Sequence, residues 1–63
     1  MKFNVNDKAK ATAPNGEIKP GDIVRILTAK ANASVEIYTA ERVSDKEWGY
    51  FTATMLEEVG DVH

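Results

Sequence analysis

Residues 18–27 read Ile-Lys-Pro-Gly-Asp-Ile-Val-Arg-Ile-Leu. Pro20 and Gly21 predict a tight turn, because proline presets a turn-compatible φ and glycine tolerates positive φ. The aliphatic residues of 23–27 include several β-branched side chains, and the run is too short for a helix. A turn that leads directly into a strand is therefore predicted here.

Four further segments have the character of short structural elements. Residues 8–13 alternate lysine or threonine with alanine, residues 35–43 alternate along a longer run, and residues 48–52 are rich in aromatic side chains. Residues 54–59 are predicted to form a short 3₁₀ turn followed by a last short strand. The expected fold class is therefore all-β, with five strands.

Turn-forming residues separate these runs. Pro14-Asn15-Gly16 is a turn of the same kind as Pro20-Gly21, and residues 31–34 and 44–47 are expected to form a loop and a hairpin end. Turns at roughly ten-residue intervals between short apolar runs are typical of a small barrel or sandwich.

Two alternatives remain open in the pattern. Asn6 could cap a helix over Asp7 to Thr12, which Pro14 would end. Residues 35–43 carry apolar side chains on both faces of a strand, so the alternation alone does not decide which face is buried.

The order of the pieces resembles an SH3 domain. Residues 18–27 are similar to that family's diverging turn and second strand, residues 37–41 to the strand that carries its tryptophan pair, and residues 49–59 to its closing segment. The resemblance covers roughly residues 9–59. It implies a small five-stranded SH3-like barrel with a short 3₁₀ turn near the C-terminus, formed by one domain over residues 1–63 with an ordered core of about residues 8–59.

The same resemblance predicts a small apolar core. Ala9, Ala11 and Ala13 are expected to form a thin inward face of the first strand. The other side chains expected to meet in the core are Ile18, Val24, Ile26, Ala40, Phe51, Leu56 and Val59.

The chain departs from the family where SH3 domains bind proline-rich peptides in aromatic grooves. Ile37 stands at the position of the first tryptophan, Thr52 at that of the proline and Met55 at that of the tyrosine. The resemblance therefore implies the barrel, and no proline-rich peptide is expected as a ligand.

Composition limits the chemistry that the chain could perform. Its 63 residues include no cysteine, and His63 is the only histidine. We therefore expect no disulfide, no thiolate zinc site and no cofactor. General acid–base catalysis needs two carboxyl groups that face one cleft, whereas adjacent Glu57 and Glu58 point to opposite sides of a strand. No catalytic residues are predicted, and the chain is not expected to be an enzyme.

Charge and hydropathy bear on the possible partners. The formal net charge is −2 and the sequence pI is about 5.2, which argues against general binding to nucleic acid. The apolar runs are too short to span a membrane, and residues 1–7 lack the apolar core of a signal peptide. A cytoplasmic location is the expectation that follows.

Large aromatic side chains near turns suggest a binding surface, because tryptophan and tyrosine are common in interface hot spots. Trp48 could be exposed as an anchor for a partner, or it could cap the open end of an alanine-rich core. The predicted binding residues are Ile37, Tyr38, Trp48, Thr52 and Met55.

The function indicated is a non-catalytic protein-interaction module that docks on a protein partner or on a second copy. Two other functions stay open at this point. The chain could be an accessory subunit of a larger enzyme or electron-transfer complex, or a small barrel associated with nucleic acid.

Overall fold

The computed structural model describes residues 2–59 and shows five strands and a 3₁₀ turn. The strands, β1 to β5 in chain order, are Lys8–Ala11, Ile23–Asn32, Val35–Arg42, Trp48–Thr52 and Leu56–Glu58, and the 3₁₀ turn is Ala53–Met55. The predicted all-β class, the number of strands and the 3₁₀ turn before the last strand are confirmed. The alternative helix over Asp7 to Thr12 is wrong, because Lys8–Ala11 pairs with two other strands.

All five strands form one antiparallel sheet in the order β4-β3-β2-β1-β5. A flat sheet of this order would separate its edge strands by about 19 Å, at about 4.8 Å for each of four spacings. The 3₁₀ turn joins these same edge strands with only three residues, which span about 6 Å. The sheet must therefore curl so that β4 and β5 approach each other.

The second and third strands form a longer hairpin than the sequence predicts. Strand β2 continues past Leu27 to Asn32, which pairs with Val35 at the start of β3. The expected loop over residues 31–34 shrinks to a turn at Ala33 and Ser34, with φ of Ala33 at 56°. Pairing with β3 satisfies backbone groups that a loop would have exposed, so tertiary context extends the strand.

A β-bulge in β2 reverses which of its residues point inward. Ile26 pairs with Ala40, the next pair is Thr28 with Thr39, and the register therefore shifts at Leu27. One extra residue in a strand moves every following side chain to the other face of the sheet. Before the bulge Ile26 points into the core; after it, Thr28 and Lys30 point outward.

The core contains most of the predicted side chains. Ala9, Ala11, Ile18, Val24, Ile26, Ala40, Phe51 and Leu56 are buried. Ala13 and Val59 are only half-buried, so the prediction that they belong to the core is wrong. Val59 lies just beyond the end of β5, where strand pairing no longer holds it against the sheet.

Two aromatic residues complete the core. Phe3 and Tyr38 are buried, and their rings meet edge to face with centroids 5.5 Å apart. The Tyr38 hydroxyl donates to the carboxylate of Glu36 and accepts the backbone N–H of Phe3. The segment before β1 is therefore part of the fold, and the core extends beyond the predicted boundary at residue 8. The burial of Tyr38 and Ala40 also decides the inward face of β3.

An ionic cluster around Arg42 holds three turns together. Its guanidinium binds Asp22 at 2.9 Å, Asp45 at 2.5 Å and the backbone carbonyl of Glu17 at 2.8 Å. The pKa of Asp22 is lowered by a hydrogen bond from the backbone N–H of Lys19 and by the one from Arg42. The pKa of Asp45 is lowered mainly by Arg42. Both carboxylates are thus favoured in their charged form by the folded chain.

Truncation of Phe51 tests the core. We expect Phe51→Ala to lower the free energy of unfolding by about 3–5 kcal/mol, because it leaves a cavity between the two halves of the sheet. That loss would leave much of so small a domain unfolded. Urea denaturation followed by circular dichroism measures the change, and Val35→Ala, at a side chain 46% exposed, should change it by less than about 0.5 kcal/mol. Equal effects of the two substitutions would contradict this core.

The Arg42 cluster predicts an acid-sensitive stability. Because the folded state lowers the carboxyl pKa values of Asp22 and Asp45, their contribution is complete above the ordinary aspartate pKa of 3.8 and is lost as the pH falls through the lowered values. We therefore expect the urea midpoint to fall more steeply in the wild type than in Arg42→Gln between about pH 5 and pH 2. If the urea midpoints of the two proteins fell in parallel with pH, the Arg42 cluster would not contribute to the pH dependence of stability.

Candidate functional site

The outward side chains of β2, β3 and β4 form one continuous surface, which we call the outer face. Residues paired across antiparallel strands point to the same side of a sheet. Along the seam between β3 and β4, the outward pairs are Glu41 with Trp48, Thr39 with Tyr50 and Ile37 with Thr52. Along the seam between β2 and β3, they are Arg25 with Glu41, Thr28 with Thr39, Lys30 with Ile37 and Asn32 with Val35.

Two exposed aromatic rings stand on this surface. Trp48 is 59% exposed and Tyr50 is 64% exposed, and the rings lie edge to face with centroids 5.3 Å apart. They occupy alternate positions of β4, while Phe51 points inward and is buried. Trp48 therefore does not cap the core, and the first of its two predicted roles, an exposed ring, matches its position.

The structure divides the predicted binding residues between three locations. Ile37, Trp48 and Thr52 lie on the outer face. Tyr38 lies in the core with its hydroxyl hydrogen-bonded, so its ring offers no surface to a partner. Met55 lies on the 3₁₀ turn, half-buried against the core.

Within the outer face, the three remaining predicted residues are not all neighbours. Ile37 pairs with Thr52 at one end of β4, and Trp48 lies at the other end, opposite Glu41. Tyr50 occupies the position between them and connects the two ends. Tyr50 belongs to the aromatic run of residues 48–52, but it is not among the predicted binding residues.

Thr28 and Lys30 are further outward residues that the sequence prediction missed. Both phases of β2 carry apolar residues, at positions 24 and 26 on one and at positions 23, 27, 29 and 31 on the other. The alternation therefore does not mark the bulge. Because the strand is also not predicted past Leu27, the outward positions of Thr28 and Lys30 could not be predicted from the sequence.

The free edge of β4 is partly covered by the loop that precedes β2. The side-chain amide of Asn15 donates a hydrogen bond of 2.5 Å to the backbone carbonyl of Tyr50. The same side chain lies 3.2 Å from the position that a Cβ at Gly49 would occupy. An incoming strand could therefore not pair along the middle of this edge without displacing Asn15.

Charged groups on the sheet are mostly engaged with one another. Arg25 and Glu41 form an ion pair of 2.7 Å on the outer face, and Lys10 and Glu57 form one of 3.8 Å between β1 and β5. Within residues 2–59, no three potential ligand side chains are grouped in a way that could hold a metal ion. His63 lies outside the described residues.

A shallow cleft of about 450 Å³ lies on the outer face. Its walls combine apolar surface, hydroxyl groups, an amide and one ammonium group. They are formed by Thr28, Lys30, Asn32, Ile37, Thr39 and Tyr50. This part of the outer face can therefore offer both an apolar contact and hydrogen-bond donors to one ligand.

The chain matches no known protein-family model, no curated protein and no solved structure. None of the helical segments among residues 2–59 is long and apolar enough to cross a membrane. The outer face, with its two exposed aromatic rings, is therefore proposed as the candidate site from the chain's own residues alone.

Trp48 is the only tryptophan, so its fluorescence reports directly on the outer face. We expect acrylamide to quench this emission in the folded protein nearly as strongly as in urea, because the indole is already exposed to solvent. A blue-shifted emission that resists quenching in the folded protein would instead place the indole over the core.

Proposed function

We propose that the chain is a non-catalytic protein-interaction module built on an SH3-like barrel, with the outer face as its binding surface. The main support for this function is the exposure of Trp48 and Tyr50 side by side on strand β4. Aromatic residues of these two types dominate interface hot spots, because they bury a large area at a low cost in side-chain entropy.

The topology supports the SH3-like part of the proposal. The resemblance implies five antiparallel strands with a 3₁₀ turn before the last one, and the described chain has these elements in the order β4-β3-β2-β1-β5. The long bulged strand β2 lies in the middle of the sheet and pairs with both β1 and β3. A barrel of this design can present its sheet surface independently of the peptide groove of SH3 domains.

The composition of the outer face also supports an interface. Ile37 and Val35 add exposed aliphatic area beside the aromatic pair, at 40% and 46% exposure. Threonine hydroxyls and the Arg25–Glu41 ion pair border this apolar strip on the side of β2 and β3. An apolar centre with a polar rim is the usual anatomy of a protein–protein interface.

The same surface differs from a groove for proline-rich peptides. Such a groove is lined by aromatic side chains. Here Ile37, Thr52 and Met55 stand at the family's groove positions, and Met55 packs partly against the core. The proposed partner is therefore a protein surface or segment without a proline-rich motif.

Affinity enrichment from a lysate of the source organism tests the proposal when wild-type protein is compared with Trp48→Ala and Tyr50→Ser. We expect at least one protein to be recovered by the wild type and lost with both variants, because each substitution removes a central aromatic contact. Val43→Ser is the matched control, since Val43 is an exposed apolar residue beyond the end of β3. If no protein depends on Trp48 and Tyr50, the outer face is not the binding surface.

A further inference from the structure

One charged side chain, that of Lys30, lines the cleft on the outer face. Ile37 and Tyr50 line it as well, together with Thr28 and Thr39, which pair with each other in the register of β2 and β3. Lys30 pairs directly with Ile37 in the register of β2 and β3. An ammonium group and an exposed aliphatic side chain therefore stand side by side at the same place on the sheet.

The bulge at Leu27 is what places the ammonium group there. Without the register shift between Ile26 and Thr28, position 30 would continue the inward phase of Val24 and Ile26. The bulge turns Lys30 outward, and Ala29 takes the inward position opposite Tyr38. A lysine at this point of the outer face thus follows from the backbone geometry of β2.

The charges of the outer face are unbalanced at the cleft. Arg25 and Glu41 neutralise each other through their ion pair. Among the described residues, Lys30 takes part in no ion pair. The acidic residues near Trp48 in the chain, Asp45 and Glu47, adjoin the opposite end of β4. The cleft therefore carries one positive charge that no carboxylate of residues 2–59 pairs with.

The donors around the cleft suit a carboxylate. The ammonium group of Lys30 supplies the charge, and the hydroxyls of Thr28, Thr39 and Tyr50 can each donate a hydrogen bond to an oxygen. Ile37 and the ring of Tyr50 provide apolar contact beside them. A polyphosphate backbone would instead need several cations in a row, whereas this chain carries a net charge of −2.

We propose that this cleft takes an acidic segment of a partner protein, with a carboxylate at Lys30 and a neighbouring apolar side chain on Ile37 and Tyr50. The inference rests on the proposed function and names the chemistry of the partner. Because Asn15 covers the carbonyl of Tyr50 at the free edge of β4, the segment lies across the outer face and does not extend the sheet as a further strand.

Three blocked synthetic peptides of the same length test the proposal. Their sequences repeat Gly-Glu-Phe, Gly-Gln-Phe or Gly-Lys-Phe, and binding is followed by changes in the backbone amide shifts of Lys30, Ile37 and Tyr50. We expect the glutamate peptide to bind, its affinity to fall as salt is raised, and the glutamine and lysine peptides to bind more weakly in that order. Equal binding of the glutamate and glutamine peptides would overturn the carboxylate site.

Matched lysine variants locate the charge. Lys30→Gln should lower the affinity for the glutamate peptide by about threefold to fivefold, as expected for the loss of one exposed ion pair. Lys19→Gln changes the net charge by the same amount in the turn before β2, where the backbone N–H and carbonyl of Lys19 are hydrogen-bonded to Asp22. It should leave the affinity within about twofold. Equal effects of the two variants would show that binding depends on net charge alone and not on the position of Lys30, which would overturn the proposal.

Two further measurements distinguish other occupants of the cleft. An oligothymidylate that binds more tightly than the glutamate peptide, and depends equally on Lys30, would identify a nucleic-acid surface and overturn the proposal. Sedimentation that shows a wild-type dimer dispersed by Tyr50→Ser would identify a second copy and would also overturn it. If no peptide binds while the capture of a protein still depends on Trp48 and Tyr50, the proposal of an acidic segment is wrong. The proposed function as an interaction module would not be affected by that result.

Discussion

The connection between β4 and β5 is the constraint on which the rest of the structure depends. These strands are the two edges of the sheet, and the three residues of the 3₁₀ turn join them. So short a link forces the sheet to curl, and the curl brings Phe51 at the end of β4 and Leu56 at the start of β5 into one core. The same curl gives the sheet a closed inner side and leaves an outer side to solvent.

Strand β2 adapts to this curl by its bulge. It pairs with β1 through residues 23–25 and with β3 along most of its length, so it belongs to both halves of the curled sheet. The extra residue at Leu27 bends the strand and changes which side chains point inward. Core packing and the candidate site are therefore coupled, because the register shift that turns Ala29 inward also turns Thr28 and Lys30 outward.

The division between inner and outer face also separates stability from the proposed binding. Tyr38 and Phe51 are buried neighbours in the β3–β4 pairing and hold the core. Trp48 and Tyr50 contribute little buried area to the fold, so the chain can carry them for a partner without depending on them for folding. Asn15 restricts access at the free edge of β4, which leaves the broad surface of the sheet as the accessible side.

Local pattern predicted the elements but could not predict how they share a core. The strand over Trp48–Thr52, the turn at Pro20 and Gly21 and the 3₁₀ turn follow from propensities that act over a few residues. The burial of Phe3 was missed because no periodicity marks a single residue before the first strand. Two of the five predicted binding residues, Tyr38 and Met55, do not lie on the outer face. They were predicted from the order of the segments along the chain, and that order does not show which way a side chain points.

By itself, the order of amino acids determined the all-β class and the number of strands, because alternation and turn chemistry are local properties. Most of the buried aliphatic residues were predicted from the resemblance to SH3 domains. The tertiary structure alone decided which face of β3 is inward and where β2 changes phase. Both faces of β3 carry apolar side chains, so only the pairing with β2 and β4 and the contact of Phe3 with Tyr38 select the buried one. That selection leaves Ile37, Trp48 and Tyr50 on the surface.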